Sequence, residues 1–430
     1  MTTLTPLRLG IAGLGTVGTG AVKMIQTHAD MIAARAGRPI VITAISARSR
    51  SKDRGVDLSA YVWEDDGVAL ARRDNVDVIV ELIGGEGGQA KALVEAALSE
   101  GKHVVSANKA LMARHGHALA LVAERHGVAL RCEAAVAGGI PILKALGEGL
   151  AGNQITRVMG VMNGTCNYIL TMMEATGAAY DDVLCDAQSL GYSEADPTFD
   201  VGGFDAAQKL AILASAAFGT VIDYDGVKIE GIDRVSLADI HQAAAMGYRI
   251  KLLGVARLNE GALEQRMQPC LVPAASPLGQ LEGVTNMVVV EGDFIGQTVY
   301  QGPGAGEGPT ASAVMGDVID IARGLTMPVF SAPAASLRNA HRAGTGLAAA
   351  YYLRLSVEDA PGVLAKVSTA LSDQGISINE MRQPGHASGA AEILIVTHPC
   401  ARAALDTALE AVEASGVCRA APVALRIESV

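Results

Sequence analysis

The chain has 430 residues, half of them apolar, with abundant glycine, few aromatics and a formal net charge of −11. That length calls for two or three domains. The acidic balance argues against nucleic acid or an anionic membrane as partner, because both need a basic face.

Residues 7–12, LRLGIA, read as a short apolar strand that ends in Gly13-Leu14-Gly15-Thr16-Val17-Gly18 and runs at once into an amphipathic helix. Each glycine has a task there: the first permits the tight turn, the second lets a pyrophosphate approach the backbone, and the third lets helix and strand pack closely. The phosphates would sit on the positive end of the helix. Further strands at 39–46, 76–84 and 102–107, the last two joined by the helical QAKALVEAALSEG, give the rhythm of a Rossmann-type, doubly wound parallel sheet. After the second strand, NAD-binding sheets usually place an acid that bonds the ribose 2′-hydroxyl. Here the chain reads Ser46-Ala47-Arg48-Ser49-Arg50-Ser51-Lys52, with no acid before Asp53. NADP is therefore the expected cofactor, with Arg48 as its first phosphate contact and NAD as the alternative. The strand at 102–107 leads into Ser106-Ala107-Asn108-Lys109, where the carboxyl end of a strand faces the ligand crevice.

The next strand carries Glu133 at its end, followed by AAVAGGIP. Two glycines and a carboxylate there suit either a plain turn or a backbone-carbonyl site for a hard monovalent cation. RVMGVM is a strand, and Asn163-Gly164-Thr165 opens the helix CNYILTMMEATG, whose first amides could take a carboxylate. In GYSEADPTFDVGGFDAAQKL, Pro197 makes Glu194 to Asp200 a loop, while FDAAQKLAILASAAF is helical. Asp205 and Lys209 are thus four apart on one helix face, acid before base, and apolar neighbours point to a buried helix. A transition-metal site would bring His or Cys ligands, and none lies in 191–210. Calcium needs a different order of oxygen ligands. A pocket for an ammonium group beside a proton-exchanging lysine fits best.

These segments, in this order, together with GPGAGEGPTASAVMGDV from Gly302, resemble homoserine dehydrogenase, a family that interconverts L-aspartate-4-semialdehyde and L-homoserine in threonine and methionine synthesis. The resemblance implies that Lys209 relays the proton, with Lys109 beside it at the reaction centre and also in contact with the cofactor, and Asp205 orienting the amine. It assigns Glu194 and Asp200 to the substrate's polar ends, with Gly164 and Thr165 beside them. It also assigns Glu133, Val136, Gly138 and Ile140 to a sodium or potassium site. Gly306 and Glu307 are implied to close over the nicotinamide. Expected domains are 1–138 for the cofactor, with a return at about 304–340, and an α+β catalytic and dimerisation domain at 139–303. A dehydrogenase of another small hydroxy amino acid and a non-catalytic NADP and amino-acid sensor are the alternatives; paired lysines speak against the sensor.

Beyond the small-residue linker at 331–350 the order strand, helix, two strands, helix, strand resembles an ACT domain, expected at 350–430. Its DAPGVL turn, with Gly362, and Asn379 match effector positions, which implies threonine as effector, although such domains also serve only for pairing. No apolar run is long enough to span a bilayer, and the N-terminal residues run into the glycine motif without a signal pattern. Six scattered cysteines without a CxxC pair point to a cytoplasmic protein with reduced thiols. A homodimer or homotetramer is the expected assembly.

Overall fold

The computed structural model describes residues 5–344, 347–383 and 390–429; residues 1–4, part of the stretch read for a signal pattern, lie outside the described residues. β1 (Leu7–Ala12) ends at the glycine motif, and α1 (Thr16–Ala36) starts inside it. β2 (Ile40–Ser46), β3 (Val62–Trp63), β4 (Val78–Glu81), β5 (His103–Ser106) and β6 (Leu130–Arg131) complete a parallel sheet of order β3-β2-β1-β4-β5-β6. α2 (Gly88–Ser99) and α3 (Lys109–Arg125) follow β4 and β5. The strand order reverses between β1 and β4, which opens the crevice where such sheets bind ligands. Both faces of the sheet are covered, so its strands are mainly apolar. Val78 and Val80 join α1 in one core, and Ile79 faces the other.

Glycine is required at two positions of the motif. Gly13 has φ +97°, and a Cβ there would lie 2.4 Å from the Leu82 carbonyl oxygen; one on Gly18 would lie 2.0 Å from that of Gly13. A Cβ on Gly15 would meet nothing within 4 Å, as expected where a ligand approaches the backbone.

β6 is shorter than expected: it stops at Arg131, and Glu133 lies in a 3₁₀ turn. α4 (Ile142–Lys144) leads to β7 (Ile155–Val161), then α5 (Gly164–Thr176), α6 (Tyr180–Ser189), α7 (Thr198–Val201) and α8 (Phe204–Phe218). α7 corrects the expectation of a continuous loop. Asp196 accepts the Thr198 amide at 3.1 Å, and the Pro197 carbonyl accepts those of Asp200 and Val201, so proline starts a turn of helix. β8 (Lys228–Ile229), α9 (Leu237–Ala245), β9 (Tyr248–Asn259), β10 (Ala262–Pro273), β11 (Thr285–Gly292) and β12 (Gly296–Pro303) follow. Antiparallel pairing in the order β12-β11-β7-β9-β10 forms the floor under α8, which is buried at every residue from Asp205 to Ala216. Small and apolar residues surround this helix on all sides, as a core helix needs. α10 (Glu307–Ala322) returns to pack on α1 and adds Val314, Val318 and Ile321 to its core.

β13 (His341–Arg342) precedes the C-terminal unit of β14 (Tyr351–Glu358), α11 (Val363–Asp373), β15 (Ile378–Arg382), β16 (Ala390–Thr397), α12 (Arg402–Ala414) and β17 (Val423–Ile427). The strand order β17-β14-β16-β15 is antiparallel throughout. β17 also pairs parallel with β10, Cys270 opposite Arg426 and Leu271 opposite Ile427. The two sheets are thereby one sheet of eleven strands. β8 and β13 cover the rest of the same β10 edge.

Two buried carboxylates fasten this seam. Glu428, 2 % exposed, accepts from Arg266 at 2.5 Å, Arg257 at 2.9 Å, Arg426 at 3.2 Å and Arg157 at 3.4 Å. Asp239, on α9, accepts from Arg354 at 2.7 Å and the Tyr352 hydroxyl at 3.0 Å.

Candidate active site

Three helix N-termini converge: α3 at Lys109, α5 at Gly164 and α8 at Asp205. Their positive dipole ends favour negative charge at the meeting point. Asp205 occupies it. Its Oδ2 accepts from Lys209 Nζ at 2.7 Å, and its Oδ1 lies 3.2 Å from Lys109 Nζ. Lys209 is 9 % exposed and donates a second bond to the Met162 carbonyl at 2.8 Å, which pins the ammonium at the end of β7. Lys109 comes from the parallel-sheet half and Lys209 from the other, so the pair bridges the two.

Asn163 completes the group and was not singled out from sequence, where it read only as part of a helix-opening turn. Its Nδ2 donates to Asp200 at 2.8 Å and to Asp205 at 3.0 Å, while its Oδ1 caps α5 by accepting the Cys166 amide. One amide side chain thus ties the one-turn helix α7 to α8. The two acids differ electrostatically. Burial opposes ionisation of Asp205, but the ammonium groups of Lys209 and Lys109 outweigh it and hold the carboxyl well below the usual carboxylate range. Asp200 is pushed up by burial, a rise that Asn163 opposes and the Asp205 charge adds to.

The remaining expected substrate residues divide. Thr165 donates its hydroxyl to the Tyr192 carbonyl at 2.6 Å, so this side chain holds the 191–197 loop down. Glu194 is exposed on that loop, and its backbone carbonyl accepts from Gln188 at 3.0 Å. Its carboxylate is not joined to the Asp205 cluster by any of the hydrogen bonds above.

At the carboxyl ends of β1 and β2, a crevice of about 660 Å³ is lined by Gly13, Gly15, Ser46, Arg48, Arg50 and Arg54 among others. Arg48 is exposed at its mouth. Arg54 bonds the carbonyls of Leu14 at 3.0 Å and Ser49 at 2.6 Å, and with Arg50 it lies over the Trp63 ring. Arg54 and Trp63 therefore shape the loop that presents Arg48; their distance in sequence from the glycine motif hid them. Thr16 and Val17 form the first turn of α1 at this crevice. Ser106 is buried, and its hydroxyl donates to Glu81 at 2.6 Å and accepts the Asn108 amide, so its side chain is committed within the sheet. Gly306, with φ +115°, starts α10, and Glu307 pairs with Lys23 of α1 at 2.7 Å.

The turn after β6 has Ala137 and Gly138 both at positive φ, 55° and 47°. A Cβ on Gly138 would lie 2.5 Å from the Gly304 carbonyl oxygen. The Glu133 carboxylate accepts the amides of Leu143 at 2.9 Å and Lys144 at 2.8 Å. The Glu133 and Ile140 carbonyls in turn accept the amides of Val136 at 3.2 Å and Ile142 at 2.8 Å. Among the described residues no cluster of His, Cys, Asp and Glu could hold a metal ion.

Residues 141–319 match the family model described as Homoserine dehydrogenase, residues 13–133 its NAD binding domain, and residues 351–416 the ACT domain. A homoserine dehydrogenase of Pseudomonas aeruginosa is 43 % identical over 99 % of both chains, and one of Neisseria gonorrhoeae 42 % over 99 % of both. The solved structure of a homoserine dehydrogenase from Thiobacillus denitrificans superposes with a TM-score of 0.92 over the whole of both chains at 39 % identity. A hyperthermophilic archaeal homoserine dehydrogenase solved in complex with NADPH covers 74 % of this chain and 97 % of its own, with a TM-score of 0.64 at 26 % identity. The nicotinamide-binding sheet, the paired lysines on one buried aspartate and these full-length likenesses agree: the chain belongs to the homoserine dehydrogenase family of NAD(P)-dependent oxidoreductases, with a C-terminal ACT domain.

Proposed function

We propose that Lys209 relays the proton of the homoserine–aspartate-semialdehyde interconversion. The observation that carries this is the Asp205 carboxylate shared by Lys209 and Lys109 and tied through Asn163 to Asp200. The nicotinamide, when bound, supplies hydride to the aldehyde carbon and takes it back in reverse. As the carbonyl oxygen gains negative charge, Lys209 Nζ gives it a proton; in the oxidative direction the amine takes the hydroxyl proton. Asp205 fixes the direction of that amine, and Lys109 adds positive charge where the oxygen becomes anionic. Asp200 and Glu194 hold the substrate's polar ends, and the first amides of α5, at Gly164 and Thr165, take its carboxylate. Glu194 reaches the substrate if the exposed 191–197 loop folds inward.

NADP is the proposed cofactor, held by the 13–18 turn with Arg48 at the 2′-phosphate, and Ser106, Gly306 and Glu307 along its course. The Arg48, Arg50 and Lys52 lining of the crevice and the NADPH-bound archaeal relative support it. The carbonyls of Glu133, Val136, Gly138 and Ile140 are proposed to hold sodium or potassium, which would brace the turn between cofactor and substrate halves. Threonine is the proposed effector of the ACT domain, at the exposed Asn379 and at Gly362, which caps α11 with φ +87°. A homodimer or homotetramer completes the proposal, supported by the apolar β11–β12 tip, where Phe294 is 90 % and Ile295 44 % exposed. Six unpaired cysteines support a cytoplasmic location, and no described helix is long and apolar enough to cross a membrane. The deciding experiment is NADP reduction with L-homoserine by the wild type and Lys209→Ala: turnover is lost in the variant while NADPH binding persists. Near-normal turnover would remove Lys209 from the role.

A further inference from the structure

A second polar cleft lies away from the reaction centre, at the seam of the two sheets. Lys228 of β8, Arg266 of β10, Arg402 at the start of α12 and Arg426 of β17 line it, with Glu264 as the one carboxylate on its walls. Arg426 and Arg266 are spent on the buried Glu428, and Arg426 also bonds the Tyr351 hydroxyl at 3.3 Å. Arg402 is different. Its Nε bonds Asp406 at 2.7 Å, its side chain is 31 % exposed, and its guanidinium lies 5.8 Å from the centre of the Tyr351 ring, a surface that fixes the plane of the fork. Lys228, bonded to the Gly344 carbonyl at 3.1 Å, lines the same cleft. Gln265 also borders the cleft, but its side chain is 4 % exposed and turned away to donate to the Asp223 carbonyl at 2.9 Å. The room is about 40 Å³ for the centre of a water molecule, against the ~10–15 Å³ that one water needs. That suits a carboxylate head whose remainder extends toward solvent.

We propose that this cleft is a binding site for a small carboxylate, separate from the ACT turn at Gly362 and Asn379. Arg402 and Lys228 take the carboxylate by charge-assisted hydrogen bonds, and the remainder of the ligand extends toward solvent. The site abuts the catalytic half through β8. Glu230 donates its amide to the Met267 carbonyl at 2.8 Å, and Ile232 donates to that of Val201 at 2.9 Å, next to Asp200.

The test is calorimetric titration of the full-length chain with L-threonine, succinate and acetate, repeated on Arg402→Gln, the double variant Lys228→Gln/Arg402→Gln, and Asn379→Ala. The expected result is binding of at least one carboxylate that weakens about tenfold or more in Arg402→Gln, disappears in the double variant and survives in Asn379→Ala. Binding of threonine alone makes the site selective for an α-amino acid; equal binding of succinate or acetate assigns it to the carboxylate alone. Either supports the cleft. No binding by any of the three, or binding that Asn379→Ala abolishes and both cleft variants leave intact, overturns it. Turnover of homoserine without added carboxylate stays unchanged in Arg402→Gln, so this test stands or falls apart from the role of Lys209.

Discussion

Asp205 and Glu428 are both buried carboxylates crowded by cations, but one is surrounded by lysines and the other by arginines. At Asp205 the partners are Lys209 and Lys109, with Asn163 as a neutral joint to a second acid. At Glu428 they are Arg157, Arg257, Arg266 and Arg426. Arginine keeps its proton at any pH a protein meets and offers a planar fork that can serve several acceptors at once, whereas lysine is a point charge that can give its proton away. The cation type fits the first cluster to the proton exchange proposed for Lys209 and the second to holding two sheets together. Burial and distance alone would not separate them; the type of cation does.

Lys209→Arg is the sharpest way to break that contrast. The charge beside Asp205 remains and the exchangeable proton goes, so kcat falls about a thousandfold while the thermal midpoint stays near the wild type; steady-state rates and a melt measured together decide it. Glu428→Gln should do the reverse. Four guanidinium groups lose their counter-charge, which costs about 3–5 kcal/mol in a denaturant titration, with kcat for homoserine retained. Its pH dependence has a definite sign. Burial works against the Glu428 carboxylate, the arginines outweigh it, and the group is held below its ordinary range. Its stabilisation is therefore present above ~pH 4.3 and is lost as pH falls through the lower folded value, so wild type and variant converge in acid.

Lys251 sharpens the comparison from a third side, as a buried lysine with no carboxylate in hydrogen-bond reach among the described residues. It is 2 % exposed and donates to Asn167 Oδ1 at 2.9 Å and to the Leu281 carbonyl. Burial, helped by Arg249, pushes it down to about 8. Below that value folded and unfolded chains both carry the proton. Between pH 8 and ~10.4 only the unfolded chain binds it, so folded stability rises with pH by about 3 kcal/mol. Lys251→Met removes this component, and the stability gap between the two proteins should shift by that amount across the window; a pH-independent gap would show the lysine to be ordinary. The smallest effect is expected at the exposed Arg48. Arg48→Ala should raise KM for NADPH about tenfold, or ~1.4 kcal/mol, and leave NADH unchanged; an equal rise for both cofactors would detach Arg48 from the 2′-phosphate.

The parts of the molecule that follow local rules were readable in advance. β1 and α8 occupy the stretches expected of them, LRLGIA and FDAAQKLAILASAAF, because an apolar strand ending in a glycine motif and an all-round apolar helix each carry their signal within a few residues. Lys209 and Asp205 were visible for the same reason, as a pair one helical turn apart. The proline at 197 misled, since its effect on α7 depends on Asp196 capping the turn. Asn163 could not be assigned its bridging role without knowing that α5, α7 and α8 meet. The seam was wholly silent: Glu428 gathers arginines from 157 to 426, and no local pattern announces a parallel pairing of Cys270 with Arg426.

That pairing has a consequence during synthesis. The β10 edge that β17 covers, at Cys270 and Leu271, is made before its partner, and roughly 150 residues must follow before Arg426 leaves the ribosome. At ~5–20 residues per second the wait is roughly 8–30 s. For that interval the nascent catalytic domain displays unpaired backbone groups beside an apolar strand, the kind of template that recruits a neighbouring chain. The C-terminal strand therefore doubles as the seal on the nascent enzyme, and chains cut short of Val423 should be the ones that aggregate.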